Sequence, residues 1–353
     1  MIVYIGACLI SIALIAILPK LQINGNRLSE SNSLLIPFLL VLPLIIVASI
    51  RYNVGKDYIP YMNLYMRIAN GTNTFPVEPL YDLLNRALST IGAPFPSIFA
   101  VCAIIFCTFT MMAIRRDSQY PALSIFLFVT TGLYFTFFNL MRQLMAYSIL
   151  LWAIKYAQER KLTRFLISVI FATGFHASSI LFIIVYWLSR NLFNRKTIIV
   201  ISALLFVMAN PVAKLTNRII SMTSYAHYIG GVFDVERSGY IGLIINVVLV
   251  IFATIYYDES DEKAKLYYNL LVISLWLSAF VGKVVLIARI RYMFSLSFVI
   301  SIPLFLSKVE DNKSRAVIKA AIVILYFIYF YYTIGVNNSN NVLPYDTIFN
   351  HGF

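Results

Sequence analysis

An all-α, polytopic membrane helix bundle is the fold class this chain predicts, and three observations carry the prediction. Of 353 residues, 60% are hydrophobic and only 12% are charged, whereas soluble globular domains carry about 25% charged residues. Apolar runs near the ~20 residues of a membrane-crossing helix recur along the whole chain. These runs are continuously apolar rather than alternating over ~10-residue segments, which argues against a β-barrel. The same composition excludes a soluble enzyme on a membrane anchor, a nucleic-acid-binding domain and a disordered tail. Cys8, Cys102 and Cys107 all lie inside apolar runs; they read as small buried hydrophobes, with neither disulfide framework nor metal spacing. No internal repeat, soluble domain or low-complexity tract interrupts the pattern, so residues 1–353 form one integral membrane domain.

Taken in order, the runs predict helices at about 2–18, 33–50, 94–114, 121–138, 140–158, 162–174, 177–189, 197–213, 239–257, 266–288, 292–307 and 316–336, about twelve spans. No basic segment precedes the first, so it is expected as a retained helix rather than a signal peptide. The formal net charge is +13, and much of it falls in clusters that alternate with the spans. These are Lys20 and Arg27; Arg115 and Arg116; Lys155, Arg160, Lys161 and Arg164; Arg190, Arg195 and Lys196; Lys263 and Lys265; and Lys308, Lys313, Arg315 and Lys319. Placing every cluster in the cytoplasm gives one consistent topology with both termini outside. Residues 162–188 have basic clusters at both ends, so they are expected as two short helices joined near Gly174-Phe175-His176. Each has ~13 residues and spans ~20 Å. Such a pair is re-entrant or reaches a thinned region, with His176 at its outer tip; one long kinked span is the alternative. Outer segments are expected at about 51–93, 214–238 and 337–353. Within the first, Pro76 to Ser89 reads as an amphipathic helix on the membrane surface, with Leu80, Leu83, Leu84, Ala87 and Leu88 as its apolar face.

The basic residues that orientation leaves over carry the functional signal. Arg51, Lys56, Arg67, Arg86, Lys214, Arg218, Arg237, Arg289 and Arg291 fall outside or at outer helix ends, and Arg142 and Lys283 fall within spans. An arginine inside a span costs several kcal/mol unless paired or hydrated, about 2.5–3.5 by insertion scales. Asn139, Arg142 and Gln143 have i, i+3, i+4 spacing and are expected to share one helical face. Lys283, Ile287 and Arg291 would share a stripe of a straight helix, Lys283 lying ~12 Å deeper. Arg289 and Arg291 serve one ligand only if the helix ends or unwinds there, since residues two apart do not share a face. Structural hydrogen bonding, headgroup snorkelling and an ion pair for the lysine are the plainer readings. Guanidinium forks match phosphate oxygens bidentately. Several of them on an outer cavity suit a lipid pyrophosphate, whose headgroup sits at the interface and whose tail stays among the helices. A base for a sugar hydroxyl would come from Asp57, Glu78, Asp82, Asp234, Glu236, Asp346 or His176, with His227 and His351 weaker. For any one carboxylate a solvated loop charge is the ordinary reading. Many of the 24 tyrosines are expected as interface anchors, and some near a cavity as platforms for sugar rings.

Several short pieces, in order, carry a resemblance: Arg51-Tyr52-Asn53-Val54-Gly55-Lys56-Asp57-Tyr58 with Tyr61; Glu78-Pro79-Leu80; Asn139-Leu140-Met141-Arg142-Gln143; Phe175-His176-Ala177-Ser178; Arg289-Ile290-Arg291-Tyr292; and Leu343-Pro344-Tyr345-Asp346. On these, over roughly residues 50–350, the chain resembles the EpsG/Wzy-type family of bacterial polysaccharide polymerases. The resemblance implies a multi-pass glycosyltransferase of the bacterial inner membrane. It would work on the outer face and join undecaprenyl-pyrophosphate-linked oligosaccharide repeats into O-antigen, capsule or exopolysaccharide. No cofactor, nucleotide sugar or obligatory metal is expected. The partners would be the lipid-linked oligosaccharide, membrane lipid and a chain-length regulator, with no nucleic acid. Arg142, Arg289, Arg291 and Arg51 would hold the donor pyrophosphate, and His176, Asp57 and Glu78 would supply acid–base chemistry. Asn139, Gln143, Lys283 and Tyr345 would support them.

Three rivals stand beside this reading, the first of them from a different class. A transporter or flippase of lipid-linked oligosaccharide should show internal repeats and cations open to both sides. An O-antigen ligase is expected to have a large outer loop late in the chain, whereas the larger one here is early. A histidine-dependent acyltransferase rests on His176 alone.

Overall fold

A computed structural model describes residues 1–18, 22–23, 26–27, 34–188, 195–223, 226, 229, 240–258 and 260–351. Among these the chain is helical except for a two-residue hairpin, β1 (Gln22–Ile23) against β2 (Asn26–Arg27), and an isolated bridge between Arg51 and Thr347. The helices are α1 (Ile2–Ile17), α2 (Leu35–Leu40), α3 (Leu42–Ser49), α4 (Tyr58–Ala69), α5 (Pro79–Thr90), α6 (Pro96–Asp117), α7 (Pro121–Thr130), α8 (Leu133–Asn139), α9 (Met141–Gln158) and α10 (Leu162–Thr173). There follow a 3-10 helix (Ala177–Ile184) that runs into α11 (Val185–Leu188), then α12 (Arg195–Ile220), α13 (Tyr240–Ile255), α14 (Glu262–Ser278), α15 (Ile287–Ser295), α16 (Phe298–Ser307) and α17 (Asn312–Phe330). A π-helical turn (Tyr331–Val336) extends α17, and a 3-10 turn (Ile348–His351) closes the described chain.

Several expected spans are broken, each for a local reason. The 33–50 run divides at Val41, two residues before Pro43; a proline has no N–H to donate and its ring clashes with the carbonyl four residues earlier, so Pro43 is tolerated only in the first turn of a new helix. The 121–138 run divides at Thr131-Gly132, where Gly132 takes φ +86° and α7 and α8 meet at 47°. The 266–288 run ends at Ser278 and continues as turns containing Gly282 at φ +75° and Leu286 at φ +63°. Lys283 is therefore on an exposed turn and shares no helical stripe with Arg291. Its carbonyl accepts from Asn217 Nδ2 at 2.7 Å. Arg289 and Arg291 sit inside α15 rather than at the end of a span. The eighth helix is longer than expected and takes in Lys214 and Arg218. Among the described residues three helices are long and apolar enough to cross a membrane, Pro96–Asp117, Lys196–Ile220 and Asn312–Val336. Counting each bent pair, α7–α8 and α15–α16, as one span gives up to five. Lys20, Arg190 and the 230–239 stretch of the outer segment, with Asp234, Glu236 and Arg237, lie outside the described residues, as does His227.

The core is built on α9, which is buried on almost every face and packs against α6, α8, α10 and the 3-10 helix. Aromatic contacts close the neighbouring layers: Phe106 of α6 stacks on Phe137 of α8 at 4.5 Å, and Tyr134 donates to the Leu44 carbonyl of α3 at 2.7 Å. α12 and the long helix at 312–336 keep most of their apolar surface outward, as helices facing lipid do. The three cysteines are buried and free. α10 folds back into the 3-10 helix at His176: Phe165 meets Phe182, and Tyr186 donates to the Arg160 carbonyl at 3.1 Å. The two ends of this pair therefore meet on one side, as the paired basic clusters required.

A buried ion cluster ties the other end of α6 to α14. Asp117, only 3% exposed, accepts from Arg116 at 2.5 Å and from the Tyr267 hydroxyl at 2.6 Å, and pairs with Lys263 at 3.1 Å. Removing the carboxylate leaves Arg116 and Lys263, both half-buried, without their partner; breaking a fully buried pair costs about 3–5 kcal/mol, and the partial exposure of both cations lowers that here. Asp117→Ala is expected to lower the thermal unfolding midpoint of the purified protein clearly. Asp82→Ala should barely move it, since its partner Arg86 is exposed and a surface pair contributes about 0–1 kcal/mol.

Candidate functional site

The 51–93 segment enters the bundle through Arg51 and leaves it through α5. Gly55 sits at φ +97°, and a Cβ there would lie 2.9 Å from Arg51 Nη1 and 3.0 Å from Asn139 Oδ1. Only glycine lets the loop pass so close to both. Its N–H donates to the Asn341 carbonyl at 2.8 Å. α5 starts with Pro79 in its first turn and docks through Leu80 N–H, which donates to the Gly174 carbonyl at 2.8 Å. Its inward face is Tyr81 and Asn85, with Leu80, Leu84 and Leu88 half-buried. Leu83 and Ala87, expected on the apolar face, point outward. The helix packs against α4 and α6, with the Tyr81 ring edge-on to Tyr61 of α4 at 6.5 Å.

That docking delivers Glu78 to the tip of the α10 hairpin. Arg142 Nη1 donates to Glu78 Oε2 at 2.5 Å, His176 Nδ1 lies 3.0 Å from Oε1, and Ala177 N–H donates to Oε1 at 3.4 Å. The Tyr81 ring lies 5.4 Å under the Arg142 guanidinium. Burial by itself raises the Glu78 carboxyl, but the His176 hydrogen bond and then the Arg142 charge outweigh it and hold it at about 2. Behind His176 runs a chain of hydrogen bonds: Gln143 Nε2 donates to the Tyr147 hydroxyl at 2.6 Å, which shares a proton with Ser178 Oγ at 2.8 Å. Gln143 also donates to the Arg289 carbonyl at 3.2 Å, which brings α15 to this edge. Asp57 is half-buried at the start of α4 and makes no capping bond there. Burial pushes its carboxyl up, while the charges of Arg289, Lys56, Arg51 and Arg142, in that order, pull it down.

The structure thus draws together Glu78, His176, Arg142, Gln143, Arg289 and Asp57. The expected common face of Asn139, Arg142 and Gln143 does not form, because the helix is interrupted at Leu140 (φ −100°, ψ 48°). Asn139 ends α8 and turns to the loops, accepting from Lys56 N–H at 2.7 Å and donating to the Asn340 carbonyl at 3.2 Å. Arg51 lies behind the site: it is fully buried, its guanidinium 4.6 Å from the Phe99 ring and 4.4 Å from Phe138, donating to the Val54 and Phe138 carbonyls. Arg291 points to the other side of α15, toward Ser295 at 3.3 Å and over Tyr292. Tyr345 donates to the Val47 carbonyl at 2.9 Å and meets Tyr4 edge-on, so it wedges the tail into place. Asp82 pairs with Arg86, and Asp346 pairs with His351, whose ring stacks on Tyr52. No group of three or more His, Cys, Asp or Glu side chains suited to a metal occurs among the described residues.

Tyr81, Tyr147 and Ser178 were not foreseen. Tyr147 stands one helical turn after Gln143, a spacing legible in the chain, whereas the reach of Tyr81 depends on how α5 docks. That docking rests on a close approach. A Cβ on Gly174 would lie 2.6 Å from Leu80 Cδ1. Gly174→Ala is expected to lift α5 and separate Glu78 from His176, lowering the thermal unfolding midpoint; adding Leu80→Ala should restore it. The Glu78 carboxyl also sets a pH window. Its folded value is below its ordinary value of 4.5, so its contribution to stability is complete above about pH 4.5 and is lost as the pH falls through about 2. The gap in unfolding midpoint between the wild type and Glu78→Gln should therefore be widest above pH 5 and close on acidification.

Among known proteins, no curated protein and no solved structure matches the chain. The sequence profile of the EpsG family does match it, over residues 34–347, a stretch that runs from α2 to the tail beside Arg51 and takes in every residue of the Glu78–Arg142–His176 cluster. This membrane protein belongs to the EpsG family.

Proposed function

We propose that the chain is a polysaccharide polymerase, a glycosyltransferase that joins undecaprenyl-pyrophosphate-linked oligosaccharide repeats. It would act from the outer face of the bacterial inner (cytoplasmic) membrane as a multi-pass protein of about twelve crossings with both termini outside. Family membership points to the polymerase type of function. The observation that supports the finer reading is the meeting of Arg142 and His176 on Glu78 at the tip of the α10 hairpin, with the Arg289 backbone bonded to Gln143 and the Arg289 charge acting on Asp57 beside them.

In this reading the growing chain, on its lipid pyrophosphate, is the donor, and the non-reducing end of a new lipid-linked repeat is the acceptor. The acceptor hydroxyl attacks the anomeric carbon, a carbon–oxygen bond forms there, and the bond to the pyrophosphate oxygen breaks. Arg142 and Arg289 hold the pyrophosphate and take up the negative charge that develops as it leaves. His176, paired through Nδ1 with Glu78 while the site is empty, contacts the phosphates of the bound donor. The hydroxyl proton passes to Asp57. Glu78, Asp82 and Asp346 are already ion-paired, and a carboxyl raised by burial is the better base. Arg51 and Tyr345 stand behind this machinery, and Asn139 braces its edge. A chain-length regulator would act on the assembled enzyme, and no metal or nucleotide sugar enters the scheme.

Reconstitution tests it. Purified protein in lipid, given its lipid-linked repeat and no nucleotide sugar, should give a product ladder spaced by one repeat. Loss of one preorganised donor to developing charge costs about 10²–10³ in rate, so Arg142→Ala and Arg289→Ala should each abolish visible laddering. Arg291→Ala, on the far side of α15, should keep it. Ladders of unchanged length and yield from both Arg142→Ala and Arg289→Ala would sink the phosphate-clamp reading.

A further inference from the structure

Glu78 is held as a bound anion would be. Three donors from two separate elements converge on one carboxylate: the Arg142 guanidinium at 2.5 Å, the His176 ring at 3.0 Å and the Ala177 N–H at 3.4 Å. Ala177 opens the helical stretch Ala177–Leu188, whose first N–H groups have no partner within the helix. Guanidinium, imidazole and a helix-start N–H are the donor set that recognises one phosphate group. The occupant comes from a third element. Glu78 is the residue that caps α5, yet its side chain makes no capping bond to its own helix; it reaches across to Arg142 and the hairpin tip.

We propose that Glu78 is a stand-in anion: its carboxylate fills the subsite for one phosphate of a lipid pyrophosphate, and that phosphate displaces it on binding. The inference rests on the donor-clamp reading given above and adds an intramolecular competitor to it. Displacement asks little of the fold. The stretch before Glu78 is mostly exposed through Pro76, while α5 stays anchored by Tyr81 and Asn85. Turning the glutamate side chain aside opens the subsite without moving the helix. The exchange also keeps Arg142 paired at every stage, so no uncompensated guanidinium is left half-buried when the lipid leaves.

The opposing arrangement is a fixed carboxylate that orients His176, by the logic of a catalytic triad. The two differ in sign. An internal competitor weakens ligand binding by the fraction of time it occupies the subsite, so neutralising it tightens binding; removing an orienting group loosens it. Calorimetric titration with farnesyl pyrophosphate and with inorganic pyrophosphate, on protein in nanodiscs, reads that sign. Glu78→Gln is expected to bind both about tenfold more tightly than the wild type, and Arg142→Ala to lose both. Equal or weaker binding by Glu78→Gln overturns the stand-in and leaves the clamp intact. Unchanged farnesyl pyrophosphate binding by Arg142→Ala overturns the clamp itself. A gain confined to inorganic pyrophosphate assigns the subsite to a free anion and overturns the lipid headgroup as its ligand. Should Glu78→Gln not fold, infrared difference spectra of wild-type protein carrying 13C-glutamate give the answer. Farnesyl pyrophosphate should shift a glutamate carboxylate band, and an unshifted spectrum overturns the proposal.

Discussion

Every break in a helix frees backbone carbonyls, and in a membrane protein those groups have to find donors inside the chain. At the end of the bundle that holds the site, side chains supply them. Arg51 serves the Val54 and Phe138 carbonyls, Tyr61 that of Asn139, Tyr134 that of Leu44, Tyr345 that of Val47 and Tyr65 that of Ala93. Of these, the Phe138 and Asn139 carbonyls flank the interruption at Leu140, and at Gly132 the Thr131 and Thr136 hydroxyls donate to the Leu127 and Gly132 carbonyls at 2.7 and 3.0 Å. The interruption at Leu140 aims Arg142 at Glu78 while Asn139 faces the loops. Site geometry and helix breakage are thus one construction.

Arg51 and Arg142 show how alike two arginines look in a sequence and how differently they are used. Both are unexplained by orientation. Arg142 has a carboxylate partner and an open side; Arg51 is enclosed between two phenyl rings with carbonyls as its acceptors. A guanidinium is weakly hydrated and stacks on aromatic faces, which lets it serve as a buried bracket. The distinction lies in Phe99 and Phe138, residues far apart in the chain whose closeness no local pattern announces.

What was legible followed from counting and charge. The helical class came from apolar content. The hairpin at Gly174-Phe175-His176, with His176 at its tip, came from basic clusters at both ends, and the pairing of Arg142 was expected from the cost of a charge within a span. A count of tyrosines did not single out those that donate to backbone carbonyls, Tyr4, Tyr61, Tyr65, Tyr134 and Tyr345. Lys283 misled because a straight helix was drawn from it to Arg291, through Leu286, where the chain turns at φ +63°. The meeting of Glu78 with Arg142 and His176 joins residues 64 and 98 positions apart and depends on Leu80 seating against Gly174. Spacing arguments do not reach that far.

The closing wall of this end is made of late chain. Asn340 receives Asn139, the Asn341 carbonyl receives Gly55, and the Val342 carbonyl receives the Tyr4 hydroxyl. During synthesis the first helix, the loop after α3 and the α8–α9 break all emerge long before the stretch that joins them. The contacts that hold Asn139, Gly55 and Tyr4 to one another through residues 340–342 therefore form only after α17 has been made, later than the helices that they join.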